Sequence, residues 1–377
     1  MVKAMYAFSG DPITYGHIDI IKRVSKSFDE VIVGIGANPD KKYMFDLEER
    51  TKMANKSLVN IPNVKVISFQ GLLVDYAYEN DIPVVVKAVR NSSDVEYESI
   101  LQEVGKSQKL GIDTHILFAR PELAHISSSV VKAIQKEHGL IHEYVPLYVK
   151  QCLEAKMSEQ YIVGVTGEMG VGKSYISKRF KEIGNEKEIS VNNIELDHIP
   201  HQIYNELKEP QYVKLRRELI EIFGESVKLK DGTINRKALG EIVFNDFEKL
   251  NKLNEMIYTP LMVRLRKELY GKKGLILINA ALIAESNMSY LSNNNVILVT
   301  ADKSIQEKRL KGKGLNEEQI KRRLASQYAS KEKKKNLEQK INEDKQGNLW
   351  EIDNSSDSDS SEIINVFENL VKELNVK

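Results

Sequence analysis

The run Tyr161-Ile162-Val163-Gly164-Val165-Thr166-Gly167-Glu168-Met169-Gly170-Val171-Gly172-Lys173-Ser174 passes from a β-branched apolar strand into a glycine-rich turn. A helical pattern over 175–183 follows, so strand, Gly-x4-Gly-Lys-Ser loop and helix stand in the order of a P-loop. Glycines let the backbone N–H groups wrap a β-phosphate, Lys173 brings charge to the β and γ oxygens, and Ser174 offers a hydroxyl to Mg2+. ATP is therefore expected on residues Gly167, Glu168, Met169, Gly170, Val171, Gly172, Lys173, Ser174 and Tyr175. The competing reading, a glycine-rich linker, has no use for the flanking strand and helix.

Downstream the chain turns mostly helical, with further strands predicted at 275–278 and 296–299. Upstream, β-branched runs at 31–35, 64–67, 84–86 and 115–118 alternate with amphipathic stretches. That βαβα order predicts a parallel sheet covered on both faces. A charged helical stretch over 148–157 and the residues Ser158-Glu159-Gln160 read as the joint, which predicts domains at 1–157 and 160–377. No internal repeat relates the halves.

Composition sets the bounds. A chain of 377 residues, 41% hydrophobic, suits two domains and not one. A formal net charge of +1 advertises neither nucleic acid nor an anionic membrane. The single cysteine, Cys152, excludes an intramolecular disulfide and a Cys-rich zinc site, which fits a reducing compartment. The opening residues lack a signal peptide's leader and longer apolar core. The longest apolar run, 275–284, is interrupted by Asn279 and falls short of the roughly 20 residues that cross a bilayer. A soluble cytoplasmic enzyme is expected.

Near the start, Thr14-Tyr15-Gly16-His17 places a glycine and a histidine where a helix should begin after the first strand. Orphan N–H groups and the helix dipole favour a phosphate there, with an imidazole in reach. Alone, a histidine at a helix start is more often structural. Company changes the reading: Ser9, Lys41-Lys42, Lys87, Arg90 and Ile126-Ser127-Ser128-Ser129 all follow strands and converge on the carboxyl edge of the sheet. Singly, Lys41-Lys42 also fits a solvated pair, and Ser127 to Ser129 a helix cap.

Over residues 1–155 the sequence resembles the bacterial phosphopantetheine adenylyltransferase family. The resemblance runs through Asp11-Pro12-Ile13-Thr14-Tyr15-Gly16-His17-Ile18-Asp19-Ile20, Phe45-Asp46-Leu47-Glu48-Glu49-Arg50, Gly71-Leu72-Leu73-Val74-Asp75 and Asp94-Val95-Glu96-Tyr97-Glu98. It implies a Rossmann-like nucleotidyltransferase fold and transfer of AMP from ATP to 4′-phosphopantetheine, giving dephospho-CoA and pyrophosphate. It further implies that His17 stabilises the reacting α-phosphate and that Ser9, Gly16, Arg90, Glu98, Ser127, Ser128 and Ser129 hold ATP. Ser9, Lys41, Leu73 and Lys87 fall to the phosphopantetheine. No residue of the set is a nucleophile or strong base, which suits catalysis by position and charge. Two departures stand out: the glycine is displaced in Tyr6-Ala7-Phe8-Ser9-Gly10-Asp11-Pro12, and Lys87 replaces a usual arginine, losing the bidentate fork.

Over residues 160–375 the sequence resembles dephospho-CoA kinase, through Ile194-Glu195-Leu196-Asp197, Asp231-Gly232-Thr233-Ile234-Asn235-Arg236 and Arg323-Leu324-Ala325-Ser326-Gln327. The resemblance implies a P-loop kinase fold with a parallel sheet, a helical substrate region and a lid. It places a carboxylate beside the ribose 3′-hydroxyl of dephospho-CoA, to accept its proton as the phosphoryl group moves. Where the family shows Asp-x-Asp, this chain has Glu195-x-Asp197, with Glu195 expected as the base and Asp197 as its alternate. Asn279-Ala280-Ala281-Leu282 replaces a proline-containing segment. The basic run 308–314 and Lys321-Arg322-Arg323 read as a lid, with Arg309, Lys313 and Arg323 expected on phosphates. Residues 331–335 read as surface, His198 and His201 as bystanders without a metal, 350–354 as a last strand with an adenine-side loop, and 355–361 as a solvated connection.

The product implied for the first half is the substrate implied for the second. The expected ligands are ATP, Mg2+, 4′-phosphopantetheine, dephospho-CoA and CoA, with no nucleic acid or membrane partner and self-association possible. Two alternatives stay open. One is a nucleotidyltransferase and kinase acting on other small molecules; the other is one half reduced to nucleotide binding without turnover.

Overall fold

Two parallel five-stranded sheets, each closed over by its own helices, organise the chain. The computed structural model describes residues 2–38, 41–243, 246–325, 327–355 and 360–377, and of residues 247, 322, 323 and 360 the backbone alone. Its two compact units are Met1–Leu153 and Glu154–Lys377.

Unit 1 runs β1 (Lys3–Phe8), α1 (Tyr15–Val24), β2 (Glu30–Gly36), α2 (Leu47–Leu58), β3 (Val64–Phe69), α3 (Leu73–Glu79), β4 (Val84–Val89), α4 (Ser92–Ser107), β5 (Asp113–Phe118) and α5 (Ser128–Lys136). Helix α6 (Leu147–Ser158) contains the unit boundary. The strand order is β3-β2-β1-β4-β5. The chain steps outward from β1, then returns across it to β4, and the reversal opens a crevice at the carboxyl ends of those two strands. Met5, Ile32, Ala77, Ile82 and Val85 form a buried cluster on one face. Helix α4 buries no residue, and Tyr97, Ile100, Leu101 and Val104 lie exposed along it at helical spacing.

Unit 2 runs β6 (Gln160–Thr166), α7 (Lys173–Glu186), β7 (Val191–Glu195), α8 (Ile199–Asn205), α9 (Pro210–Phe223), α10 (Arg236–Val243), α11 (Phe247–Leu269), β8 (Gly274–Asn279), β9 (Val296–Thr300), α12 (Lys303–Gly312), α13 (Glu317–Ala325), α14 (Ser330–Asp344), β10 (Leu349–Asp353) and α15 (Ser360–Leu374). Its sheet order, β10-β9-β6-β8-β7, sets β6 in the middle, so the glycine loop emerges at the centre of the carboxyl edge. Beneath it, Phe180 of α7 meets Phe367 of α15 edge to face, with ring centroids 5.3 Å apart. Gln160, expected at the joint, is buried within β6 and donates to the Leu269 and Lys272 carbonyls at 2.8 and 2.9 Å. Among the described residues no helix is long and apolar enough to cross a membrane.

Candidate active sites

In unit 1 the buried Thr14 is the N-cap of α1, which sets Gly16 and His17 in the first turn beside the crevice. The Thr14 N–H donates to His17 Nδ1 at 3.1 Å, and the Thr14 hydroxyl lies 2.9 Å from the same nitrogen. A backbone N–H can only donate, so Nδ1 is the bare nitrogen and a neutral His17 carries its proton on Nε2. Phe8 stacks on the ring, with centroids 4.4 Å apart. Burial, and after it the charge of Arg90, push the His17 pKa down to about 4. The imidazole is thus a neutral N–H donor of fixed orientation near neutral pH.

The other expected residues divide into ready and engaged groups. Ser127 Oγ caps α5 by accepting the Val130 N–H at 3.2 Å, and Ser128 Oγ donates to the Pro12 carbonyl at 2.8 Å. The helix start and the exposed Ser129 remain outward. Arg90 is exposed just past β4, where its backbone N–H and Nε both donate to Asp94, at 2.9 and 3.0 Å. Lys87 and Glu98, which the sequence assigns to different ligands, form an ion pair at 3.0 Å. Ser9 Oγ lies 3.5 Å from the Tyr43 hydroxyl, Lys41 is exposed between β2 and α2, and Leu73 packs at the edge of the Met5 cluster.

Arg50 received no role from the sequence, yet it ties the crevice together. It is 2% exposed, donates to the Ser9 carbonyl at 2.5 Å and the Gly36 carbonyl at 2.8 Å, and lies 3.9 Å over the Tyr43 ring. The ends of β1 and β2 are thereby held by one guanidinium. A signal was present, since Met53, Ala54 and Leu58 share its helix face and are buried with it. Asp11 acts similarly, accepting from Lys132 at 2.7 Å and the Phe45 amide at 3.0 Å. Burial raises its pKa, but Lys132 and the Phe45 and Met44 amides outweigh this and hold the carboxyl below its usual range.

In unit 2, Gly167, Gly170 and Gly172 have φ of 145°, 88° and 98°, as an open phosphate cradle requires. A Cβ on Gly172 would lie 2.2 Å from Asn354 Nδ2, which itself donates to the Val171 carbonyl at 2.7 Å. Lys173 Nζ folds back onto the loop, donating to the Gly167 and Glu168 carbonyls at 2.9 and 3.3 Å. Burial pushes its pKa down to about 8; Asp197 and, less strongly, Glu195 oppose this, while Lys333 and Lys313 add to it. Ser174 and Tyr175 are exposed at the start of α7. Arg309 of α12 donates to the Val171 carbonyl at 3.1 Å, and Lys313 is exposed at the end of that helix. The side chain of Arg323 and the whole of Ser326 lie outside the described residues, as do residues 356–359 of the expected connection.

The acidic pair flanks the same loop. Glu195 Oε1 accepts from Asn193 at 2.8 Å and lies 3.4 Å from Asn279 Nδ2, while Asp197 Oδ2 accepts the Ala281 N–H at 2.9 Å. An open cavity of about 690 Å³ lies between α9 and the Asp231-Gly232-Thr233 turn, lined by Val213, Arg216, Arg217 and Lys228. His198, His201 and Glu206 bring potential ligand atoms within 4.8 Å of one another.

Two further expectations are overturned: the connection expected over 355–361 ends inside α15, which begins at Ser360, and the lysine run is not what it looks. Residues 331–335 are not all surface: Lys333 is 0% exposed, its Nζ donating to the Ala281 carbonyl at 2.7 Å and to Glu285. It shares the buried face of α14 with Leu337, four residues on, a spacing that a lysine-rich run conceals. Two further links were missed. Gln327 Oε1 accepts the Met169 N–H of the glycine loop at 3.0 Å, and Glu168 accepts the Ser330 N–H and hydroxyl at 2.8 and 2.7 Å.

A family model described as cytidylyltransferase-like matches residues 9–134, and one described as dephospho-CoA kinase matches residues 161–348. The chain is 46% identical over 143 residues to a phosphopantetheine adenylyltransferase of Clostridium novyi (strain NT), covering 38% of this chain and 89% of that relative. With the phosphopantetheine adenylyltransferase of Dictyoglomus turgidum the identity is 44% over 158 residues, 41% of this chain and 98% of the relative. A solved dephospho-CoA kinase from Campylobacter jejuni aligns at a TM-score of 0.32 with 22% identity, over 57% of this chain and 98% of that one.

Proposed function

Because the chain belongs to the phosphopantetheine adenylyltransferase family through its first unit and carries a dephospho-CoA kinase domain in its second, we propose that it catalyses the last two steps of coenzyme A formation. In unit 1, a phosphate oxygen of 4′-phosphopantetheine attacks the α-phosphorus of ATP, and pyrophosphate leaves as dephospho-CoA forms. In unit 2, the ribose 3′-hydroxyl of dephospho-CoA attacks the γ-phosphorus of a second ATP, giving CoA and ADP.

The observation that carries this reading is a pair of anion cradles built differently on two sheet edges. In the first, His17 offers Nε2–H as a neutral donor to charge growing on the α-phosphate, while Arg90 and the α5 N-terminus hold the pyrophosphate end. An attacking phosphate has no proton to lose, so no base is required. In the second, the loop amides take the β-phosphate, and Lys173 leaves its own loop carbonyls for the phosphate oxygens. Asp197, tied to the Ala281 amide, is assigned to the phosphate side, and Glu195 is assigned to receive the hydroxyl proton. Arg309 and Lys313 close the γ-phosphate end, and Arg323 is assigned there with them.

Ser174, Glu195 and Asp197 offer oxygen ligands only, the donor set that Mg2+ prefers. Bound with ATP, the ion would supply charge neutralisation at the phosphates.

The test is direct. Purified chain is given 4′-phosphopantetheine, ATP and Mg2+, and products are identified by mass. Dephospho-CoA should appear first and CoA after it; a chain that consumes no ATP with this acceptor overturns the proposal.

A further inference from the structure

Lys333 is enclosed completely, so its ammonium is closed off from solvent. Its bonds converge instead on Ala281, just past the end of β8. The Ala281 carbonyl accepts from Lys333 Nζ at 2.7 Å and from Thr166 Oγ1 at 3.1 Å, Thr166 being the last residue before the glycine loop. The Ala281 N–H donates to Asp197 Oδ2 at 2.9 Å. One residue is therefore gripped at its carbonyl by a cation and at its amide by a carboxylate of the candidate site. Glu285 neutralises Lys333, and also accepts the Tyr328 N–H at 3.0 Å, where α13 leads into α14.

Burying an ion pair is costly, and an apolar pair of similar volume often serves stability as well. A pair buried at this position points to a need for placement.

We propose that Lys333 is a positioning residue of the kinase, holding Ala281 so that Asp197 keeps its place beside the P-loop lysine. The environment of Lys173 is consistent with this: after burial and Asp197, Lys333 has the next largest influence on its amine. Lys333, Asp197 and Lys173 thus lie within one electrostatic neighbourhood, and of the three only Asp197 and Lys173 are assigned to the phosphates. The inference rests on the kinase reading of unit 2.

The test replaces the pair together, as Glu285→Leu with Lys333→Met, so that no lone charge is left buried. Kinase kcat and the KM for ATP are measured with dephospho-CoA supplied directly, and adenylyl transfer by the same chain is the internal control. The expected result is a kcat lower by about tenfold or more, with the KM for ATP changed by less than about threefold. A folded variant with kcat near that of the unchanged chain overturns the proposal, as does a loss confined to KM. Should the double variant fail to fold, Lys333→Arg carries the test. It keeps the charge opposite Glu285, but its longer side chain and wider planar head do not fit the fully enclosed Lys333 site unless the Ala281 carbonyl moves. A reduced kcat at steady KM is expected again, and an undiminished kcat overturns the role. Failure of the unchanged chain to phosphorylate dephospho-CoA would instead defeat the kinase reading itself.

Discussion

Thr14 and His17 clasp each other across the first turn of α1: the Thr14 N–H donates to His17 Nδ1 at 3.1 Å, and its hydroxyl lies 2.9 Å from the same atom. The clasp sets the tautomer, and the tautomer sets the chemistry, because it leaves the ring proton on Nε2. His17→Ala should lower adenylyl transfer by about a hundredfold or more, the scale of losing one oriented donor to a transition state. Kinase activity on added dephospho-CoA should be unchanged, and paired assays on one preparation check both.

The same ring gives unit 1 a pH-dependent stability. An unfolded His17 takes up its proton near 6.5 and the folded ring only near 4, so the unfolded state binds more protons between these values. Stability should therefore rise from pH 4 to 6.5, by at most about 3 kcal/mol from this residue. Urea unfolding of the unchanged chain and of His17→Gln, compared across that range, should show the variant with the shallower slope.

Lys173 has an amine lowered from 10.5 to about 8, chiefly by burial. Bound phosphates favour the charged form, so ATP binding above pH 8 should draw in a proton and near pH 6.5 should not. Calorimetric titration in buffers of different ionisation enthalpy reads the uptake. Lys173→Ala should abolish the kinase step and let dephospho-CoA accumulate while the first reaction continues.

Glu195→Gln should reduce kinase kcat by about a hundredfold or more, the usual scale for a lost general base. Asp197→Asn should weaken phosphoryl transfer too, with a larger share of the loss in the KM for ATP and Mg2+. Equal, purely kcat losses from both would remove the division of labour assigned to them.

Gly172→Ala should silence the kinase without unfolding the chain. Its φ of 98° and a Cβ only 2.2 Å from Asn354 Nδ2 leave no room for a side chain unless the loop moves. Circular dichroism and adenylyl transfer should stay unchanged while phosphorylation of added dephospho-CoA is lost.

Arg50→Lys should impair adenylyl transfer although Arg50 is buried away from solvent. A lysine cannot bind the Ser9 and Gly36 carbonyls and cover Tyr43 at once. Thermal unfolding of unit 1 should shift downward, with the KM for 4′-phosphopantetheine rising.

Local patterns made much of this protein legible. Strands β2 to β5 are runs of β-branched residues, and β6 with its loop carries both a strand signal and a phosphate signal in contiguous residues. The start of α2 carried a local signal that was not singled out: Asp46 and Glu49, three residues apart, cap it with reciprocal bonds of 2.8 and 2.9 Å. Strand β7 was not announced in this way. Val191-Asn192-Asn193-Ile194-Glu195 is too polar to be read as a buried strand, and it is held as one by pairing with β8. The pairing of Lys87 with Glu98 was equally hidden, since both residues were readable and their ion pair was not.

Residue order by itself determined the two α/β units, the glycine cradle and the helix-start histidine, because each depends on neighbours within a turn or two of the chain. Folding alone decided that Arg50 joins two strand ends, that Asp197 leans on Ala281, and that Lys333 lies fully enclosed in a run of lysines that looks solvated. Those placements depend on groups between 14 and 84 positions apart for the first two and 52 for the third. Only closure of the sheets brings such groups within bonding distance, where low dielectric makes each charge matter.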